Sequence, residues 1–312
     1  MSSPRPEPCA VPTPSWRHVP IFAAGAAALL LALAPAPAHA FGLSWSTFAG
    51  ADGAHLDAAN DAPATHVLRV CADPDNLPYS KRDGSGFENR IAALMARALK
   101  ARLETVWSPR QRGWLRSTLG ADRCDALIGV PAGTPTLLTT RPYYRSSWVL
   151  VGRGDTPPLA GLDDPRLAQW RVGVSSADGE WRAAPRVVLA RVGALDHAVD
   201  VAPHGDAPPA ERMVDALADG RLDAALLWGP QAGYYAGRAS VPLRLAPLAA
   251  PGGDASGFEA SIAMGVARGH AMLRAALDRA IAEHREEIDA ILAEYRVPRA
   301  DLGVQRLVQD RR

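Results

Sequence analysis

Residues 66–71, HVLRVC, 87–101, FENRIAALMARALKA, 103–107, LETVW, and 124–130, CDALIGV, decide the fold. The first is a β-branched run suited to a strand. Phe87, Ile91, Leu94, Met95, Ala98 and Leu99 recur at helical spacing and predict an amphipathic helix to about Ala101. Residues 103–107 read as a short strand, 112–119 as a short helix closed by Gly120, and CDALIGV as a buried strand. Strand, helix, strand, helix, strand is the order of a parallel sheet with crossover helices.

The alternation starts again further on. Arg171–Val174, RVGV, is a strand. Glu211–Asp219 is a helix preceded by Pro208 and Pro209 and followed by Gly220. Asp223–Trp228, DAALLW, is a buried strand. Two extended segments, Ser147–Gly152 (SWVLVG) and Ser261–Ala267, link the units. Last comes one long helix with Leu273, Leu277, Ile281, Ile288, Ile291, Leu292 and Tyr295 on one side, bounded by Pro298. This predicts an α/β protein of two lobes, each a mixed sheet with flanking helices, around a cleft. Lobe 1 comprises residues 66–148 and 262–312 and lobe 2 residues 149–261, with hinges near 147–153 and 258–265. Ligands in open α/β sheets bind at strand carboxyl ends, so both lobes are expected to turn those ends into the cleft.

The whole chain has 312 residues, with 34 Lys+Arg against 33 Asp+Glu and 48% apolar residues, enough to bury a core. So even a balance argues against a nucleic-acid binder, which needs a basic surface to neutralise phosphates. Arg5, Arg17 and His18 precede an apolar run, Ile21–Ala34, and a small-x-small ending at Ala40. Residues 1–40 therefore read as a cleavable signal peptide. The run is short of the ~20 residues a spanning helix needs, which disfavours a retained membrane anchor. Cleavage would leave equal numbers of basic and acidic residues and no later stretch able to insert into a membrane. Residues 41–65 lack periodicity and read as a flexible arm. Cys9 would leave with the signal. In an oxidising compartment Cys71 and Cys124 would then form a disulfide; the competing reading is two separate buried thiols.

In their order and spacing, LRVCADPDNLPYS, GFENRIAALMARAL, RCDALIGVPAG, RPYYRSSWVLV, RVGV, GRLDAALLWGPQAGYY and the terminal helix resemble a type II periplasmic substrate-binding protein over about residues 66–298. More narrowly, CADPDNLPYS, TTRPYYRSSWV, WGPQAGYYA and EIDAILAEYRVPR are similar to the quinoprotein dehydrogenase-associated branch, the MxaJ-like and XoxJ-like accessory proteins of methanol oxidation. The resemblance implies a periplasmic, non-catalytic accessory factor for a PQQ-dependent methanol or alcohol dehydrogenase, with that enzyme or its cytochrome c as partner. The alternative is an importer's substrate-binding protein, docking on an ABC permease. A more remote one is an enzyme like the cyclohexadienyl dehydratases, for which Glu88 and Arg141 would be the residues to draft.

Amino-acid-binding relatives carry an Arg after the strand equivalent to CDALIGV, which clamps the ligand carboxylate, and an Asp after the second buried strand, which pairs the ammonium. The equivalent positions here are about Gly133, in PAGTPTLL, and Trp228. Both charged anchors are absent.

The ligand or cleft candidates are Asp73, Asp75, Asn76 and Tyr79 after the first strand, and Trp114. Pro131, Gly133 and Thr134 lie after CDALIGV, Asp178 lies after RVGV, and Trp228 and Gln231 follow DAALLW. Asp73-Pro-Asp75-Asn76 departs from calcium-loop spacing and reads as turn chemistry. GVPAGT lacks the Gly-Lys-Ser/Thr ending of a phosphate loop. Asp178–Trp181 is either an anion-holding helix start or an exposed turn. His55, His66, His197, His204, His270 and His284 are scattered without ligand spacing, and no catalytic triad, metal or cofactor is expected. The stretch 204–210 reads as a tolerated insertion or a partner-contact loop. Calorimetric titration with the standard amino acids is expected to give no micromolar binding; such binding to any one of them would overturn the lost-anchor reading.

Overall fold

The computed structural model describes residues 66–111, 113–157, 162, 164–175, 183–202, 207–248 and 258–300. The signal segment, the arm, Arg112, Asp178–Trp181 and residues 203–206 lie outside the described residues.

The described residues form twelve strands and seven α-helices. β1 (His66–Ala72) leads through the short hairpin β2 (Asp75–Asn76) and β3 (Ser80–Lys81) into α1 (Phe87–Ala98) and β4 (Ala101–Trp107). α2 (Trp114–Ser117), β5 (Ala126–Pro131), β6 (Leu138–Thr139) and β7 (Tyr144–Arg153) follow. Next come β8 (Val172–Ser175), α3 (Ala183–Arg191), β9 (Ala198–Val201), α4 (Pro209–Ala218), β10 (Ala224–Trp228) and α5 (Gly229–Ala236). β11 (Leu243–Pro247), β12 (Glu259–Val266), α6 (Ala271–Glu283) and α7 (Arg285–Glu294) are the last elements of the described residues.

The large sheet runs β4-β1-β5-β12-β7-β10-β8-β9, with β6 on β12 and β11 on β7. β4, β1 and β5 are parallel, as are β9, β8 and β10. β12 and β7 run antiparallel to their neighbours and join the two parallel sets. β7 pairs with β12 through Tyr144–Ser147 and with β10 and β11 through Trp148–Arg153. The mixed α/β architecture expected from the sequence is thus two half-sheets sharing one strand. No helix among the described residues is long and apolar enough to cross a membrane.

Each half-sheet repeats one clamp. Arg69 donates its backbone N–H to Asp125 Oδ2 at 2.8 Å, its Nη2 reaches Oδ1 at 2.7 Å, and the Asp125 N–H returns a bond to the Arg69 carbonyl at 2.8 Å. Arg171 and Asp223 make the same set: N–H to Oδ2 at 2.8 Å, Nη2 to Oδ1 at 2.8 Å, and Asp223 N–H to the Arg171 carbonyl at 3.0 Å. Fork-shaped pairing of this kind fixes direction as well as distance. Beside the first clamp, Cys71 and Cys124 form a disulfide, and Trp114, Leu119, Leu127 and Val130 pack around it.

The main apolar cluster runs from Leu68, Phe87 and Ile91 to Met213, Leu217 and Ala225, beneath both half-sheets. A second cluster, with Trp148, Leu150, Val172 and Leu226, covers the opposite face of the second half.

Two local expectations are corrected. The long terminal helix is two helices broken at His284, whose φ of −108° and ψ of 28° leave the helical region. His284 Nδ1 lies 2.6 Å from Glu287 Oε1, and Glu286 and Glu287 occupy the first turn of α7, where carboxylates favour a new helix start. All seven apolar positions named on that segment are nevertheless buried. The helix expected over 112–119 is shorter, because Thr118 turns its Oγ1 back to the Trp114 carbonyl at 2.6 Å and a 3₁₀ turn follows. GPQAGYYA, to which the sequence alone assigns no element, is helix α5: Pro230 fits the first turn, and packing overrides the low helical propensity of its glycines.

The disulfide closes a loop with a sequence separation of 53 residues. Closing a loop of that length restricts the unfolded chain by about 4 kcal/mol. Reduction, or Cys124→Ser, is therefore expected to lower unfolding free energy by about that amount in denaturant titration.

Candidate functional site

β1 sits between β4 and β5, so the connection leaving it goes to one side and the chain returns on the other. A crevice opens at the carboxyl ends of strands where the order reverses in this way. Here those ends carry Asp73, Ser108–Arg110 and Gly129–Pro131, with the first turn of α1 beside them.

The start of α1 is closed to anions. Its Phe87 and Glu88 N–H groups donate to the carbonyls of Pro78 and Tyr79 at 2.9 and 2.8 Å, and Asn89 Oδ1 accepts from the N–H groups of Lys81 and Gly86. Gly86 is required there, because a Cβ would lie 2.2 Å from the Tyr79 carbonyl oxygen.

Glu88 lies in this first turn with its carboxylate against β5. A Cβ on Gly129 would stand 1.9 Å from Glu88 Oε1, so the bare glycine makes room for the carboxylate. No hydrogen bond reaches that carboxylate among the described residues. Arg110 is the nearby cation; its Nη2 donates to the Gly129 carbonyl at 2.9 Å and its guanidinium lies 4.9 Å from the Trp114 ring. Desolvation raises the Glu88 pKa from 4.5 to about 7, opposed by the Arg110 charge. The side chain keeps some solvent access, which moderates the penalty of enclosure. Tyr143 and Tyr144, buried nearby, are pushed well above the ordinary tyrosine range, first by burial and also by the Glu88 charge.

Of the residues named from sequence, Asp73 accepts the Asp75 N–H on Oδ1 at 2.9 Å and the Arg110 N–H on Oδ2, so it braces the loop after β4. Asp75 and Asn76 pair with Lys81 and Ser80 in the small hairpin. Tyr79 is buried with its ring 5.4 Å from Phe87. Trp114 is buried and donates Nε1 to the Ser108 carbonyl at 3.0 Å. Pro131 and Thr134 close a turn through Thr134 Oγ1 and the Pro131 carbonyl at 2.7 Å. Gly133, at φ +76°, is exposed with nothing within 4 Å of a Cβ position, and its N–H donates to Thr139 Oγ1. Trp228 caps α5, half-buried, 5.9 Å from the ring of Trp148; Gln231 is half-buried on the same helix. Asp178 lies outside the described residues.

The structure thus brings Asp73, Arg110 and Trp114 together beside Glu88 and Gly129. The sequence offers Glu88 only as an enzyme's acid and does not single out Arg110. The available signal was an Arg just past a strand end in WSPRQR. Among the described residues, no three His, Cys, Asp or Glu side chains cluster as metal ligands.

Glu88 gives a signed pH dependence. Its folded pKa of about 7 exceeds the unfolded 4.5, so the folded chain binds the extra proton between those values. Stability from this group is present at low pH and is lost as pH rises through about 7. The loss is at most about 3 kcal/mol, less for the residual solvent access. Glu88→Gln should flatten the stability difference between pH 5 and 8 relative to wild type, about 2 kcal/mol by denaturant midpoint. Gly129→Ala should fold and shift the same transition toward the ordinary carboxylate range, as the displaced side chain swings into water.

No protein-family model matches the chain. It is 31% identical over 252 residues to the protein MoxJ of Methylorubrum extorquens, covering 76% of this chain and 82% of that protein. It is 31% identical over 265 residues to MoxJ of Paracoccus denitrificans, covering 80% and 95%. The crystal structure of the periplasmic binding protein XoxJ from Methylobacterium extorquens AM1 superposes with a TM-score of 0.61 at 34% identity, over 74% of this chain and 98% of that one. With these identities sustained over nearly the full length of its relatives, on the same fold, the chain belongs to the MoxJ/XoxJ family of periplasmic-binding-protein-like proteins.

Proposed function

We propose that this chain is a non-catalytic periplasmic accessory factor for a PQQ-dependent methanol or alcohol dehydrogenase, acting in its assembly or activation. The family resemblance supplies the process. The observation that carries the reading is the bare Gly133: where an amino-acid receptor holds its carboxylate clamp, this chain has an exposed glycine at φ +76° with open space around it. A binding fold without its ligand clamp is free to use its cleft and surface for a protein. In this reading residues 1–40 direct export and are removed. Residues 66–148 with 262–312 and residues 149–261 form two lobes that join near 147–153 and 258–265.

The importer reading has one observation in its favour. Arg110 keeps guanidinium N–H groups beyond its bond to Gly129, beside strand carboxyl ends. An anionic solute would suit it.

Mild cross-linking in the periplasm with tagged residues 41–312, read by mass spectrometry, separates the two. Recovery of a quinoprotein dehydrogenase or its cytochrome c is the expected result, together with loss of periplasmic methanol dehydrogenase activity on deletion. Recovery of permease subunits, with dehydrogenase activity unchanged on deletion, would return the protein to transport.

A further inference from the structure

The junction of the two half-sheets carries a strap that no ligand chemistry requires. After α7 the chain turns at Arg296, φ +55°, and runs as Arg296-Val-Pro298 across α5 and the start of β7. α5 meets it with a step of glycines. A Cβ on Gly233 would stand 1.9 Å from the Arg296 carbonyl oxygen and 3.1 Å from the Pro298 ring. One on Gly229 would meet Ser146 Oγ at 2.3 Å, and one on Gly237 the Arg296 side chain at 2.6 Å. Helix and strap are therefore in backbone contact, which only glycine permits.

Further contacts hold the strap and the helix in place. Ser146 Oγ, on the β7 segment paired with β12, donates to the Pro298 carbonyl at 2.7 Å. Tyr234 stacks on Tyr295 at 5.8 Å with an interplanar angle of 15°, and Tyr295 donates its hydroxyl to the Ser85 carbonyl before α1. From the other side, Tyr235 Oη donates to the Leu77 carbonyl at 3.2 Å. α5 follows directly from β10 of the second half-sheet, whereas Leu77, Ser85 and α7 belong with the first.

We infer that the strap at residues 295–298, seated on the glycine step of α5, locks the two half-sheets at a fixed mutual angle, so that this chain works as a rigid body rather than a closing clamp. Rotation of one half against the other has to occur where β7 passes from β12 to β10, at Ser147–Val149. Any such rotation moves α5 relative to Tyr295–Pro298, and the contact has no slack: at Gly233 the helix backbone already touches the strap. The inference concerns the isolated protein and stands apart from the identity of the partner.

Native-state hydrogen exchange on the purified protein tests it. In wild type, amides of Ser147–Val149 and Glu259–Ile262 should exchange as slowly as those of β1 and β5. Gly233→Ala should speed exchange at Ser147–Val149 and Glu259–Ile262 by about tenfold or more, leaving β1 and β5 unchanged. Should Gly233→Ala fail to fold, Ser146→Ala and Tyr235→Phe, which each delete one hydroxyl, carry the test with the same expected direction. Fast exchange at the junction in wild type, or junction amides unmoved by the variants, would overturn the lock.

Discussion

β7 serves the two half-sheets one after the other along its length. Its first residues accept β12 alone, whereas from Trp148 onward it is flanked by β10 and β11. A slip of one residue would turn Val149 and Val151 out of one apolar cluster and Trp148 and Leu150 out of the other. Register in both half-sheets is therefore set by one ten-residue segment. The helices that dock on each side inherit their positions from it.

The cluster around Glu88 follows from the same arrangement. β12 pairs with β5 on one edge and β7 on the other, which puts the Gly129 segment of β5 next to Tyr143 and Tyr144. α1 lies over this sheet because its apolar face is buried there, and its first turn delivers Glu88 to the strand. The carboxylate is consequently enclosed by backbone and aromatic rings, with one guanidinium for charge balance. Such a group changes its proton occupancy near neutrality, unlike Asp223 and Glu294, which Arg171 and Arg90 hold below the ordinary carboxylate range.

Much of this order could be read from residues alone. The parallel strands, α1, α4 and the joining of Cys71 to Cys124 follow from β-branched runs, apolar spacing and a pair of thiols flanking two strands. What escaped was tertiary in origin. Pro230 suits a helix start, but the glycines of GPQAGYYA disfavour a helix until the Arg296–Pro298 backbone is laid against it. The break at His284 depends on a side-chain pair rather than on periodicity, which continues across it. Gly129 looks like a weak point in a strand until the Glu88 carboxylate is seen to occupy its missing side chain's place. Gly133 and Trp228 were singled out by what they lack, and absence of a charge is legible wherever the neighbouring motif is.

The paired Arg–Asp clamps are alike in geometry but not in surroundings. Asp125 has a side-chain exposure of 8% and Asp223 of 33%, and only the first is backed by a disulfide. Ionic strength acts on exposed pairs far more than on enclosed ones. The two clamps therefore answer differently to the salt of their surroundings: added ions weaken the Arg171–Asp223 pair more than the Arg69–Asp125 pair.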